Sequence, residues 1–215
     1  MTTSTQALTP DPSRLPWLLS PLLLAALLLS GWHPYDRTTW WLEVLPVLIA
    51  WPLILANARR YPLTPLLLGL VFLHCLVLIL GGAYTYARVP LGEWAREAWH
   101  LSRNPYDKLG HLMQGFVPAL AAREILRRGA HVRGRKMLAF VVVCIVLAIS
   151  AGYELLEWAS ALALGQGADE FLGTQGDPWD TQSDMFCALV GAVLSLLLLS
   201  RWHERQLRAL GVPPP

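Results

Sequence analysis

The sequence predicts an all-α, polytopic membrane bundle of about six transmembrane helices, and three observations predict it. Of 215 residues, 54% are hydrophobic and only 15% charged, well below the roughly 25% charged residues of soluble domains. So few charges cannot cover a soluble domain of this length. The apolar residues gather into six runs, most of 18 to 20 residues, close to the ~20 needed to cross ~30 Å of hydrocarbon. The basic residues form short clusters between those runs. That pattern belongs to membrane topology and carries no nucleic-acid footprint.

The first span runs from Leu15 to Trp32. It follows Arg14 and has a Leu/Ala-rich core, as a signal peptide would. However, Gly31-Trp32-His33-Pro34 lacks the small-x-small pair of a cleavage site, so retention is expected. The second span covers Thr39 to Ala58 and the third Thr64 to Gly82. The outer-side connection after the third span, Tyr84 to Tyr106, contains Gly92-Glu93-Trp94-Ala95-Arg96-Glu97-Ala98-Trp99. Charged and aromatic residues alternate there at helical spacing, which reads as one short amphipathic surface helix, with a solvated turn as the alternative. The fourth span is Leu109 to Leu126, the fifth Met137 to Leu164 and the sixth Ser183 to Trp202. The fifth is longer than the bilayer requires and must tilt or project. No internal repeat or second domain is visible, so residues 1–215 are expected to form a single transmembrane domain.

Orientation follows from Lys and Arg placement. With the N-terminus inside, the inner segments hold Arg14, Arg59, Arg60, Arg127, Arg128, Arg133, Arg135, Lys136, Arg201, Arg205 and Arg208. The outer segments hold Arg37, Arg88, Arg96, Arg103 and Lys108. Eleven against five predicts that both termini are cytoplasmic. The last outer loop instead carries acid, with Asp169, Glu170, Asp177 and Asp180. Trp17, Trp32, Trp40, Trp41, Trp179 and Trp202 fall near span ends, where amphipathic rings sit at headgroup depth. Cys75, Cys144 and Cys187 are isolated within apolar runs and read as small hydrophobes.

A charge within a span costs at least a few kcal/mol unless it is partnered or hydrated. In spans one to three the exceptions are Glu43 and His74. Both are set aside, since a lone histidine is more often a hydrogen-bonded neutral residue than a ligand. Spans four to six differ. Asp107, His111 and Gln114 are spaced i, i+4, i+7 and share one helical stripe, with Pro118 after them as a kink site beside a cavity. Asp107 also suits the positive start of the helix. In span five, Glu154 and Glu157 lie one turn apart, with Ser150 a turn earlier. Glu154 stands about 15 Å before the outer end of the span and is the costliest residue of the chain. Before span six, Asp177-Pro178 reads as a helix start. Asp180 and Asp184 share a face that continues through Cys187 to Gly191, where glycine lets a neighbouring helix approach.

These three stripes share the outer side and predict one pocket of His111, Gln114, Glu154, Glu157, Asp180 and Asp184, with Asp107 and Lys108 at its rim. Carboxylates in low dielectric cannot all stay charged cheaply. Protons, Lys108, a cationic His111 or a bound metal must neutralise them. Asp107, His111, Glu154, Asp180 and Asp184 are the candidate metal ligands, because Asp/Glu/His sets suit hard or borderline divalent cations. Glu154 and His111 are the candidate proton-transfer groups, and Gln114, Glu157, Asp177 and Lys108 complete the pocket. The plainer alternative is a hydrogen-bonded network that ties three helices together.

The same residues carry a family resemblance. Asn104-Pro105-Tyr106-Asp107-Lys108-Leu109-Gly110-His111 with Gln114-Gly115-Phe116, Tyr153-Glu154-Leu155-Leu156-Glu157-Trp158, and Phe171 through Met185 resemble the YjdF-type bacterial inner-membrane proteins, a family of unknown function. The resemblance implies a multi-pass inner-membrane protein and supplies no activity or cofactor. The chain is also similar to the VanZ-like membrane proteins in Asp107, Lys108, His111, Glu154, Asp184 and Gly191. It departs from them where Asp177-Pro178-Trp179-Asp180 replaces the basic residue that family carries before its final Asp.

The expected function is therefore an outward-facing polar pocket that binds a divalent cation or an envelope ligand of the lipid or lipid-linked phosphate type. There is no Walker loop, HExxH or nucleophile elbow, and the outer cations are few, so no reaction class is indicated. One alternative is a small proton-coupled transporter in which Glu154 and His111 titrate in turn. Against it, the membrane-depth polarity sits in one half of the chain, whereas transporters pair interrupted helices across two halves. The other alternative is a non-catalytic scaffold. The lipid bilayer is the one partner expected in every case.

Overall fold

The computed structural model describes residues 11–164 and 174–213, and every regular element among them is a helix. In chain order these are α1 (Leu15–Trp32), α2 (Arg37–Asn57), α3 (Pro65–Tyr84), α4 (Pro90–Ala98), α5 (Tyr106–Arg128), α6 (Arg135–Leu164) and α7 (Asp180–Ala209). The helix starts have local causes. The Asp36 carboxylate accepts the Thr39 N–H at 2.7 Å, and Thr64 caps α3 just before Pro65, a residue whose fixed φ suits the first helical position. Asp177 does not open α7 as expected. It accepts the Trp179 N–H at 2.9 Å in a turn, and the helix begins at Asp180.

Two sets of bonds define the ends of the bundle. Asp11, Arg14, Arg59 and Pro62 line one depression, Arg128 donates to the Pro62 carbonyl at 2.7 Å, and Arg127 donates to the Pro213 carbonyl. The start of α1, the α2–α3 turn and the ends of α5 and α7 thus share one end, rich in arginine. At the opposite, acidic end, the Tyr35 N–H donates to the Ala83 carbonyl at 3.0 Å, and Asn104 and Gln175 exchange two hydrogen bonds of 2.9 and 3.1 Å. The six long helices consequently alternate in direction.

Five of them, α1, α2, α3, α6 and α7, are long and apolar enough to cross a membrane. The 23-residue α5 equals them in length but not in composition, for a structural reason. It is enclosed by α3, α6 and α7, and its charges meet protein partners where lipid would leave them bare.

The packing falls into two halves. Leu23, Trp40, Val44, Val47, Trp51, Leu68, Cys75 and Ile79 join α1, α2 and α3. Ala119, Ala122, Leu138, Val142, Val146, Ala188 and Ala192 join α5, α6 and α7. Leu66, Leu67, Val117 and Leu120 form the seam between halves, along α3 and α5. The second half is built on small residues. A Cβ at Gly115 would collide with the Ala188 carbonyl, and one at Gly191 with the Leu112 carbonyl, so α5 and α7 touch backbone to backbone as expected at Gly191.

Outside, Leu29, Phe140 and Leu197 are 78%, 65% and 73% exposed. Such an apolar exterior fits acyl chains and would be a liability in water. Trp17, Trp32, Trp41, Trp179 and Trp202 are exposed near helix ends, but Trp40 turns inward and its indole N–H donates to Ser30 Oγ at 3.0 Å. On α4, Gly92 and Ala95 face the protein while Leu91 and Trp94, and Trp99 just past the helix end, are exposed, the arrangement of a helix lying at an interface.

Candidate functional site

The acidic end is built on the start of α5. Asn104 is fully buried. Its side chain accepts the Tyr106 N–H at 3.0 Å and donates to the Val89 carbonyl at 3.1 Å and to Glu93 at 3.0 Å. A Cβ on Gly92 would strike it. Asn104 thereby clamps α4 and the Gln175 turn to α5. The Tyr106 hydroxyl donates to the Val77 carbonyl at 3.0 Å, and Gly110 gives room to the Tyr86 ring. Asn104, Tyr106 and Gly110 are thus positioning residues, and they present Asp107, Lys108 and His111 to α6 and α7.

His111 is the hub. Its Nε2 lies 3.5 Å from Asp107 Oδ1 and 3.8 Å from Asp184 Oδ1, and its Nδ1 lies 3.8 Å from Glu154 Oε1. Gln114 Oε1 is 3.1 Å from Nδ1. One imidazole therefore meets carboxylates from α5, α6 and α7. Lys108 Nζ donates to Asp180 and Asp184 at 2.7 Å each and to Ser183 at 2.6 Å. Arg103 donates to Asp180, to Asp107 at 3.2 Å and to Asp177 at 3.3 Å. Burial opposes the Arg103 charge. The hydrogen bond to Asp180 and the charges of Asp180, Asp107 and Asp184 outweigh it and hold the guanidinium above its ordinary pKa.

A cavity of about 180 Å³ opens beside the hub, lined by Glu43, His74, Tyr86, Asp107, His111, Gln114, Tyr153 and Glu157 together with Pro46, Leu78, Gly110, Pro118 and Ile149. The Tyr153 hydroxyl donates to Glu43 at 3.2 Å, and burial pushes the Tyr86 phenol well above its usual range. Pro118 has no N–H, which leaves the Gln114 carbonyl without its helical partner at the cavity wall. Glu154 is 8% exposed, and its Oε1 has no hydrogen-bond partner. In the His111 cluster and its adjoining cavity stand Glu43, Asp107, Glu154, Glu157, Asp177, Asp180 and Asp184, with Arg103, Lys108, His111 and His74 as the bases in these contacts. Seven acids face four bases. Donor atoms of Asp107, His111 and Asp184 all lie within 4.8 Å of one another, a spacing that could hold a metal ion.

The structure brings together Asp107, Lys108, His111, Gln114, Glu154, Asp180 and Asp184, and adds Asp177 through Arg103. Glu157 reaches the cavity rather than the aspartates. Glu43 and His74, set aside in the sequence, line the same cavity; the overlooked signal was an acid inside an otherwise apolar span. Asp169, Glu170 and Phe171–Gly173 lie outside the described residues.

A second polar cluster, at the basic end, was missed altogether. Glu124 is fully buried and accepts from Thr64 N–H and Oγ at 3.2 and 2.7 Å, from Arg128 at 2.9 Å and from His203 at 2.9 Å. Arg123 meets His203 Nδ1 at 2.9 Å. Arginine can only donate, so Nδ1 accepts and the His203 Nε2–H donates to Glu124. Arg123 and Arg127 both donate to Glu204, at 2.7 and 2.9 Å. The signal was present: Arg123 and Glu124 are adjacent opposite charges inside the expected fourth span.

A family model described as "Predicted membrane protein (DUF2238)" matches residues 15–205. The chain is 63% identical over 190 residues to the inner membrane protein YjdF of Escherichia coli (strain K12), covering 88% of this chain and 91% of that protein. No solved structure matches, and these comparisons lend no support to the VanZ-like similarity. By sequence over nearly its whole length, and by its bundle of apolar helices, the chain belongs to the DUF2238 family of membrane proteins.

Proposed function

We propose that the acidic end is a cation-binding chamber in which Asp107, His111 and Asp184 hold a divalent ion, with Glu154 and Asp180 beside it. One observation carries this reading: three carboxylates, of Asp107, Glu154 and Asp184, meet one buried imidazole in a cluster and cavity where seven acids face four bases. Low dielectric makes such an excess costly. A divalent ion offsets it, and the oxygen and imidazole donors suit Mg²⁺, Mn²⁺ or Zn²⁺. Lys108, already bonded to Asp180 and Asp184, retains Asp180 and Ser183 when Asp184 turns to the ion. Glu154 and His111 face each other at 3.8 Å and are the pair placed to share a proton.

The chamber faces the periplasmic side of an inner membrane in this reading, and both termini face the cytoplasm. The eleven-to-five arginine and lysine asymmetry and the inner-membrane name of the Escherichia coli relative support that orientation. The apolar cavity wall of Pro46, Leu78, Pro118 and Ile149 supports a ligand of the lipid or lipid-linked phosphate class, entering headgroup first. Its volume, about 180 Å³, equals roughly six waters and excludes a whole lipid. A proton-coupled carrier is favoured less, because Ala119, Leu120, Ala188 and Ala192 are fully buried and form a dry layer between the two polar ends.

The test is elemental analysis of the purified chain, followed by calorimetric titration with Mg²⁺, Mn²⁺ and Zn²⁺. About one ion per chain is expected, with binding weakened at least tenfold in Asp184→Asn while helix content is unchanged. A purified protein that neither contains nor takes up any of these ions would sink the proposal.

A further inference from the structure

A second cavity, at the other end of the bundle, calls for a different ligand. A groove of about 490 Å³ runs between the end of α2 and the end of α5. Its lower wall is Leu53, Ile54 and Ile125, and its upper rim is Arg60, Arg128 and His131. Leu53 and Ile125 are more than half exposed, so the apolar wall is continuous with the lipid-facing surface of the bundle.

The rim is built and cationic. The Arg128 guanidinium lies 3.6 Å over the Tyr61 ring. Its Nη1 donates to Pro62 and Glu124, which fixes the group while its other N–H groups have no protein acceptor among the described residues. Arg60 and His131 are exposed, and Arg59, Arg133, Arg135 and Lys136 stand nearby in sequence. No acidic side chain lines the groove. Burial pushes the Tyr61 phenol up, so the ring stays neutral under the guanidinium.

We infer that this groove binds one anionic glycerophospholipid of the surrounding bilayer, with its phosphate on Arg60, Arg128 and His131 and an acyl chain along Leu53, Ile54 and Ile125. A soluble anion would use the rim and gain nothing from the apolar wall. A neutral lipid would use the wall and gain nothing from the rim. Only an amphipathic anion uses both, and basic pockets between helix ends at a membrane face take such headgroups.

The experiment is native mass spectrometry of the full-length protein released from detergent, with phosphatidylglycerol, phosphatidylcholine or inorganic phosphate added. The expected result is one phosphatidylglycerol retained per chain in preference to phosphatidylcholine. Retention falls roughly fivefold in Arg60→Ala/His131→Ala. It falls comparably in Ile125→Trp, which fills the groove without changing charge and so separates the site from a general loss of basic residues. Arg133→Ala/Lys136→Ala, which removes charge outside the groove, leaves retention unchanged. Equal retention of both lipids, equal loss in the Arg133/Lys136 variant, or displacement of the lipid by an equal concentration of inorganic phosphate would each overturn the inference.

Discussion

Both ends of α5 carry buried charge, and they handle it in opposite ways. At the basic end, Glu124 has four donors around it and Glu204 has two arginines. His203 uses both ring nitrogens. Two acids there lie among Arg123, Arg127, Arg128 and His203, so each carboxylate is enclosed by donors, and the cluster joins α3, α5 and α7. At the acidic end, seven acids face four bases, a carboxylate oxygen of Glu154 is orphaned, and a cavity adjoins the cluster. A network that exists to hold helices together pairs its carboxylates, since an unpaired buried one costs stability, and among the described residues the one orphan at the basic end is a nitrogen, Arg127 Nε. An acid-rich one beside a cavity, sharing α5 and α7 with the basic end, is maintained for something else. Within one molecule, the basic end serves as the internal control for the acidic end.

That contrast can be broken by mutation, and the largest effect belongs to the basic end. Glu124→Ala strips Thr64, Arg128 and His203 of their shared acceptor and leaves cationic donors buried. It should cost about 3–5 kcal/mol, read as a large drop in thermal unfolding temperature or loss of folded yield in detergent. The seam between the ends comes next. Gly115→Leu drives a side chain into the Ala188 carbonyl and should cost about 1–3 kcal/mol, measured in the same assay, by forcing α5 from α7.

The smallest effect on stability should come from the most buried-looking anomaly. Glu154→Gln removes one acid from an overcharged cluster and no hydrogen bond at Oε1, so unfolding without divalent ions should shift by less than about 1 kcal/mol, toward greater stability. Divalent affinity in the same variant should fall about tenfold. If Glu154→Gln unfolds the protein as Glu124→Ala does, the two ends are alike and the contrast collapses.

The legible part of the fold was whatever the bilayer imposes. Span positions followed from run length, because hydrocarbon thickness leaves little freedom in where an apolar helix starts and stops. The amphipathic α4 and the close approach at Gly191 followed from helical periodicity and the absence of a Cβ. Grouping Asp107, His111, Glu154, Asp180 and Asp184 followed from topology, since alternating spans return to the same face. What topology could not supply was depth and partnership across the two halves. Glu43 and His74 reach the cavity only because α2 and α3 pack beside α5, a contact decided by Leu66, Leu67, Val117 and Leu120 rather than by any polar pattern. Arg123 and Glu124 stand in the last turn of the expected fourth span, where no polar stripe marks them. Their role depends on α7 continuing past Trp202 to Ala209, so that His203 and Glu204 arrive opposite them.

The most direct test is Mn²⁺ binding by electron paramagnetic resonance, compared in the wild-type chain, Asp184→Asn and Arg123→Lys, with folding verified for each. The account predicts one bound Mn²⁺ per chain in the wild type and in Arg123→Lys, and a loss of at least about tenfold in affinity in Asp184→Asn. Mn²⁺ that stays free in the wild type, or binds equally well without the Asp184 carboxylate, would contradict it.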